Sequence, residues 1–185
     1  MTITEAATRY IRLRDVERDL RHRRGACVCA NVPGPQDDGG MPAVLHPDGT
    51  VWAQGGSLGF HPNALRLGDH GRAPAPRTLG PQACDFVPGA CVAFRTRDVE
   101  AVGGFDERYF MYWEDVDLCR RLRERGGRIV WLPWVRIEHA AGSSSGGGRS
   151  PLRKYLMAQN VVRYLRSHGT VSGWAGWLLF DVLLW

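Results

Sequence analysis

Lysine is all but missing from these 185 residues: Lys154 is the only one, so the formal charge of +5 and the isoelectric point near 9.2 rest on arginine. The denser basic patch (Arg12, Arg14, Arg18, Arg21, Arg23, Arg24) is interleaved with Glu17 and Asp19. It is joined to no nucleic-acid docking motif, which excludes nucleic acid as the expected partner and leaves anionic lipid or a phosphate-bearing substrate. Cysteine is sparse and odd in number. None of the spacings among Cys27, Cys29, Cys84, Cys91 and Cys119 makes a zinc knuckle or a secreted disulfide framework, so a reduced, cytoplasmic setting is expected. The first two dozen residues lack the apolar core of a signal peptide. Long hydrophobic runs are lacking too: the apolar stretch from Val171 to Trp185 is too short to span a bilayer and carries Asp181 in its middle. Its three tryptophans suit an interfacial segment at the inner face of the plasma membrane, and a buried terminal helix suits the same pattern.

What remains is a chain with 44% hydrophobic residues, enough for one medium domain with a proper core, and with no internal repeat. A helix is expected from Glu5 to Arg24, because Tyr10, Leu13, Val16 and Leu20 fall on one face. Ala26 to Ala30 reads as a short buried strand, Pro33 to Gly40 as a breaker-rich stretch, and Pro47-Asp48-Gly49 as a turn leading into a strand from Val51 to Gln54. Gly55 to Pro81 shows little periodicity and reads as one long loop. Apolar strands are expected at Cys84–Val87 and Ala90–Phe94, then a short helix from Thr96 to Val102 closed by Gly103-Gly104.

Glu114 to Arg125 carries acidic residues in its first turn, arginines in its last and Gly126-Gly127 after it, the charge order a helix dipole favours. Arg128 to Leu132 reads as a strand closed by Pro133, with Trp134 to Glu138 a second extended piece. A Gly/Ser loop from Gly142 follows, and Pro151 suits the first residue of a helix reaching about His168. Helices alternating with short apolar strands indicate an α/β layer structure.

Three carboxylates, Glu114, Asp115 and Asp117, crowd one helix start. Acids there stabilise the helix by roughly 0.3 to 1 kcal/mol each, so a structural role is open to all of them. Three within four positions exceed what capping requires, and their mutual repulsion would raise one toward the pKa of a usable general base. His139 follows an extended piece and sits where open α/β sheets place ligands, at a strand end, although a single imidazole does not make a metal site. Pro88-Gly89-Ala90 interrupts two apolar strands; glycine there permits close approach by a ligand, and a strand bend explains it equally well.

Taken in order, Asp85-Phe86-Val87-Pro88-Gly89-Ala90, Val102-Gly103-Gly104-Phe105-Asp106-Glu107, Phe110-Met111-Tyr112-Trp113-Glu114-Asp115-Val116-Asp117-Leu118-Cys119-Arg120-Arg121-Leu122 and His139 resemble the second half of the family 2 inverting glycosyltransferases of the rhamnosyltransferase-like kind. Pro47-Asp48-Gly49-Thr50-Val51 upstream, and Ser150-Pro151-Leu152 with Gln159-Asn160 downstream, extend the likeness over about Ala26 to Gly169.

The resemblance implies a partial GT-A fold, Rossmann-like, of the nucleotide-diphospho-sugar transferases, lacking the N-terminal nucleotide-binding half. Residues 1–169 would form this part and residues 170–185 the apolar, membrane-interfacial segment. It also implies transfer of a sugar from a nucleotide-sugar donor to the hydroxyl of a saccharide or lipid-linked acceptor, with inversion, for cell-envelope polysaccharide. Asp115 would be the general base, with Glu114 beside it. Trp113 and the Gly89-Ala90 backbone would line the sugar pocket, with Asp117 ranked lower. His139 would be a ligand of Mn²⁺ or Mg²⁺, neutralising the diphosphate leaving group together with an Asp-x-Asp pair. Asp37-Asp38 lies in a Pro/Gly stretch and is not assigned to that pair. Rhamnose is the donor suggested by likeness, with galactofuranose or another hexose open. A chain of this extent is expected to turn over negligibly by itself, and the alternative is a non-enzymatic remnant or the acceptor-binding subunit of a split transferase.

Overall fold

Two strands distant in sequence form the spine of the protein. In the computed structural model, which describes residues 37–60, 64–139 and 150–183, β1 (Asp37–Leu45) lies parallel to β7 (Arg128–Glu138), with Asp37 opposite Arg128 and Leu45 opposite Glu138. On the other side of β1, β2 (Val51–Ala53) pairs antiparallel with its end and β6 (Ala93–Phe94) with Gly39 and Gly40, while β5 (Gln82–Ala83) covers the far side of β7. A separate two-stranded ribbon joins β3 (Gly56–Leu58) to β4 (Leu65–Leu67). Helix α1 (Thr96–Ala101) precedes α2 (Glu114–Glu124); α3 (Pro151–His168) and α4 (Val171–Gly176) follow β7, and the chain continues as a π-helical stretch, Trp177–Leu183. The mixed α/β architecture expected from the sequence is therefore present. The expected helix at Glu5–Arg24 and strand at Ala26–Ala30 lie outside the described residues.

The breaker-rich reading of Pro33 to Gly40 is corrected from Asp37 onward, because Asp37–Gly40 opens the longest pairing in the sheet. Glycine is what makes this possible. A Cβ on Gly39 would lie 2.5 Å from the Phe94 ring and 3.2 Å from Ile129, so only a bare backbone fits between β6 and β7. The supposed loop from Gly55 to Pro81 likewise contains β3 and β4. Pro133 does not end its strand: the register jumps from Pro42 opposite Leu132 to Ala43 opposite Arg136, so Pro133 sits in a bulge where its missing N–H breaks no ladder. The strands expected at Cys84–Val87 and Ala90–Phe94 shrink to a single bridge from Phe86 to Gly56 and to β6.

The core sits between this sheet and the helices. Met41, Val44, Phe86, Val87, Val116, Leu118, Leu122, Ile129 and Leu165 are all buried in one cluster. Helix α2 presents Val116, Leu118, Cys119 and Leu122 to it, the spacing of one helical face. Helix α3 starts where the Ser150 hydroxyl accepts the N–H of Arg153 at 3.1 Å and Pro151 needs no donor. Beyond it, Trp174 and Trp177 pack against the core while Leu178, Leu179, Val182 and Leu183 stay exposed. No helix among the described residues is long and apolar enough to cross a membrane.

Candidate active site

The turn before α2 is strained. Tyr112 and Trp113 adopt left-handed backbone with φ of 68° and 75°, a conformation that costs a bulky residue on the order of 1–3 kcal/mol. Asn160 holds it in place: fully buried on α3, it donates from Nδ2 to the carbonyls of Met111 (2.9 Å) and Tyr112 (2.8 Å), and its Oδ1 accepts from Arg163 (2.6 Å). The consequence is that Glu114 and Asp115 leave a rigid turn at a fixed angle.

Asp115 is half-buried, and both carboxylate oxygens are engaged. Oδ2 accepts the N–H of Gly89 at 2.8 Å and Oδ1 that of Val116 at 2.8 Å. Burial pushes its pKa up, and the two N–H groups only partly offset that. Glu114 stands beside it with Oε2 enclosed and without a partner; burial first, and then the Asp115 charge, push its pKa up to about 7. These two carboxylates resist ionisation more than ordinary surface acids do, and each is a correspondingly stronger base once ionised.

Of the residues expected at the site, the structure brings together Glu114, Asp115 and Gly89, with Ala90 next along the chain. A Cβ on Gly89 would stand 3.7 Å from Asp115 Oδ2, in ordinary contact with the carboxylate. Trp113, expected at the rim of a sugar pocket, is 2% exposed, with its indole packed on Tyr164 at 5.0 Å between centroids. Its position makes it a wedge under the turn. Asp117 is also buried: its carboxylate meets Arg121 at 2.7 Å and His168 Nε2 at 2.8 Å, locking α2 to the end of α3.

His139 lies immediately after β7. Its N–H donates to the carbonyl of Leu45 at 2.9 Å, and its ring meets Trp52 edge-on at 5.0 Å. Burial, and then the nearby His46, hold its pKa below the usual histidine value, so the ring is neutral at physiological pH. Among the described residues no hydrogen bond, ion pair or ring contact joins His139 to Glu114 or Asp115, and no three His, Cys, Asp or Glu side chains gather as a metal site. His139 can offer one nitrogen; the described residues alone do not fit a divalent ion.

Asp117 was named from the sequence without its partner His168, Asn160 entered only as part of the likeness with no role, and Arg163 and His168 were not picked out as functional. Asn160 carried a readable signal, a polar residue on the face of α3 that also presents Leu156, Val161 and Tyr164. The His168–Asp117 contact spans 51 residues and carried none.

A family model described as glycosyltransferase like family 2 matches residues 39–155, which contain the turn, both carboxylates and His139. An N-acetylglucosaminyl-diphospho-decaprenol L-rhamnosyltransferase of Mycobacterium tuberculosis (strain H37Rv) is 35% identical over 136 residues, 74% of this chain and 39% of that protein. The rhamnosyltransferase WbbL of Escherichia coli K12 is 42% identical over 57 residues, 31% of this chain and 22% of that one. The O-antigen biosynthesis protein RfbC of Myxococcus xanthus is 30% identical over 125 residues, 65% of this chain and 10% of its own length. The chain thus matches well under half the length of each of these relatives.

Proposed function

Because the chain belongs to the glycosyltransferase-like family 2, we propose that it forms the acceptor side of an inverting sugar transferase, with the Asp115 carboxylate taking the proton of the acceptor hydroxyl. The mixed sheet and its helices are part of the family's Rossmann-like GT-A fold. The observation that carries the proposal is the Asp115 carboxylate, oriented by two backbone N–H groups and made more basic by burial. In a single displacement the acceptor oxygen attacks the anomeric carbon while its proton passes to Asp115, and the bond to the nucleotide diphosphate breaks on the opposite face. One oriented base on the acceptor side suffices for this, and no covalent nucleophile is needed. Glu114, whose own pKa burial and the Asp115 charge raise to about 7, shapes the site beside it.

The donor is proposed to be nucleotide-activated rhamnose, since two of the relatives are named rhamnosyltransferases. The acceptor is proposed to be a lipid-linked saccharide used for cell-envelope polysaccharide, and the exposed Leu178, Leu179, Val182 and Leu183 would rest against the membrane that holds it. His139 enters only as one nitrogen toward Mn²⁺ or Mg²⁺, the other ligands coming from outside the described residues.

The test combines two measurements on the full chain. Carboxylate ¹³C resonances of aspartate are followed while a short-prenyl N-acetylglucosaminyl diphosphate is added, and transfer from nucleotide-activated rhamnose is assayed for the parent and Asp115→Asn. Acceptor should move the Asp115 resonance, and any transfer should vanish in Asp115→Asn. An unmoved resonance, or measurable transfer that persists at the parent's rate in Asp115→Asn, would overturn the assignment.

A further inference from the structure

A second charged feature lies outside the carboxylate site. Gln159, Val162, Arg163 and Arg166 recur at helical spacing along one face of α3, and with Arg108 and Ser167 they line a cleft of about 410 Å³. Three arginines, Arg108, Arg163 and Arg166, line this space. Among the described residues, Arg108 alone of the three is bonded to a carboxylate, Asp106, which accepts its Nε at 2.9 Å and Nη2 at 2.6 Å. Arg163 is held by Asn160 Oδ1 and lies over the Tyr109 ring at 5.5 Å, while Arg166 is exposed and meets no carboxylate among the described residues. The cleft therefore carries about two uncompensated positive charges, that of Arg163 on a held fork and that of the exposed Arg166.

We propose that this cleft binds a phosphate or diphosphate group. Planar guanidinium forks match the oxygens of a phosphate, and two of the three are fixed before any ligand arrives, so little freedom is lost on binding. Gln159 and Ser167 add neutral donors at the same wall. Such a ligand would also be coupled to the transferase turn, because Arg163 shares Asn160 with the Met111 and Tyr112 carbonyls. The group could reach the cleft on a soluble diphosphate ester or as the headgroup of an anionic lipid; the chemistry that recognises it is the same. The inference does not depend on the transferase reading, since anion binding needs no turnover.

The experiment titrates the full chain with inorganic pyrophosphate by calorimetry, following arginine Nε–Hε resonances in parallel. It then measures sedimentation with vesicles of phosphatidylcholine alone or mixed with phosphatidylglycerol. Arg166→Glu and Arg166→Gln remove the exposed fork, with far-UV circular dichroism as a check on folding; Arg97→Glu, on the exposed face of α1, is the control. Saturable pyrophosphate binding weakened about tenfold or more in both Arg166 variants, and unchanged in Arg97→Glu, is the expected result. Binding only to phosphatidylglycerol vesicles, with the same dependence on Arg166, supports the site and identifies the source as a lipid headgroup. Absence of binding to both probes, or binding that ignores Arg166, would overturn the proposal.

Discussion

Replacing Asn160 by leucine tests the claim that one buried amide holds the site's turn together. The change keeps the side-chain volume close and removes both Nδ2 bonds, leaving the Met111 and Tyr112 carbonyls without this donor. Each orphaned buried acceptor costs about 1–3 kcal/mol, so a loss of roughly 3–4 kcal/mol is expected. Relaxation of the left-handed Tyr112 and Trp113 returns part of their strain and sets an upper limit on the loss. With a urea m-value of about 2 kcal/mol/M for a domain of this size, the unfolding midpoint should fall by roughly 1.5–2 M. Asn160→Asp should be worse at neutral pH, since it places a carboxylate against two carbonyl oxygens. It should recover in part at low pH, where one protonated oxygen can donate to one of them. Urea titrations of the three proteins, followed by far-UV circular dichroism, decide the matter. A midpoint for Asn160→Leu within about 0.3 M of the parent would refute the reasoning, because at that slope it leaves well under the cost of a single orphaned carbonyl.

Other expectations rest on different contacts. Unfolded Glu114 ionises near its model value of 4.5 and folded Glu114 near 7, so between these pH values the native state binds the extra proton. Stability from this residue is therefore complete below about 4.5 and lost as pH rises through 7; the midpoint difference between pH 5 and pH 7.5 should shrink in Glu114→Gln, and an identical difference in both proteins would contradict the shift. Asp117→Ala strips Arg121 and His168 of a buried partner and should destabilise on the order of 3 kcal/mol by urea titration; near-parental stability would mean that the clamp contributes nothing. Gly39→Ala drives a methyl group into the Phe94 ring and should cost about 1–3 kcal/mol, whereas a neutral result would show that β6 can move aside.

Among the described residues, helices α1, α2 and α3 were legible almost to the residue because their signals are local. The acidic first turn and Gly126 bound α2, and Ser150-Pro151 opens α3, wherever those segments happen to lie. Strands were not. Asp37–Gly40 looks like a turn in isolation, and it becomes a strand because β7 offers a ladder and Phe94 needs the space of a missing Cβ. The pair Glu114–Asp115 could be found as surplus acid at a helix start. Trp113 beside it could not be told from a sugar platform, since exposure of an aromatic depends on what packs above it, here Tyr164.

By itself, then, the order of residues determined the two long helices and the carboxylates offered for chemistry, which follow from neighbours within a turn or two of backbone, and the α/β class and the family, which follow from the succession of such local motifs along the chain. Only the tertiary structure decided which acid is oriented by Gly89, which is consumed by Arg121 and His168, and that Asn160 braces the turn that precedes both. Hydrogen bonding and burial set those roles, and both depend on groups brought together from dozens of residues apart, a pairing that no local pattern encodes.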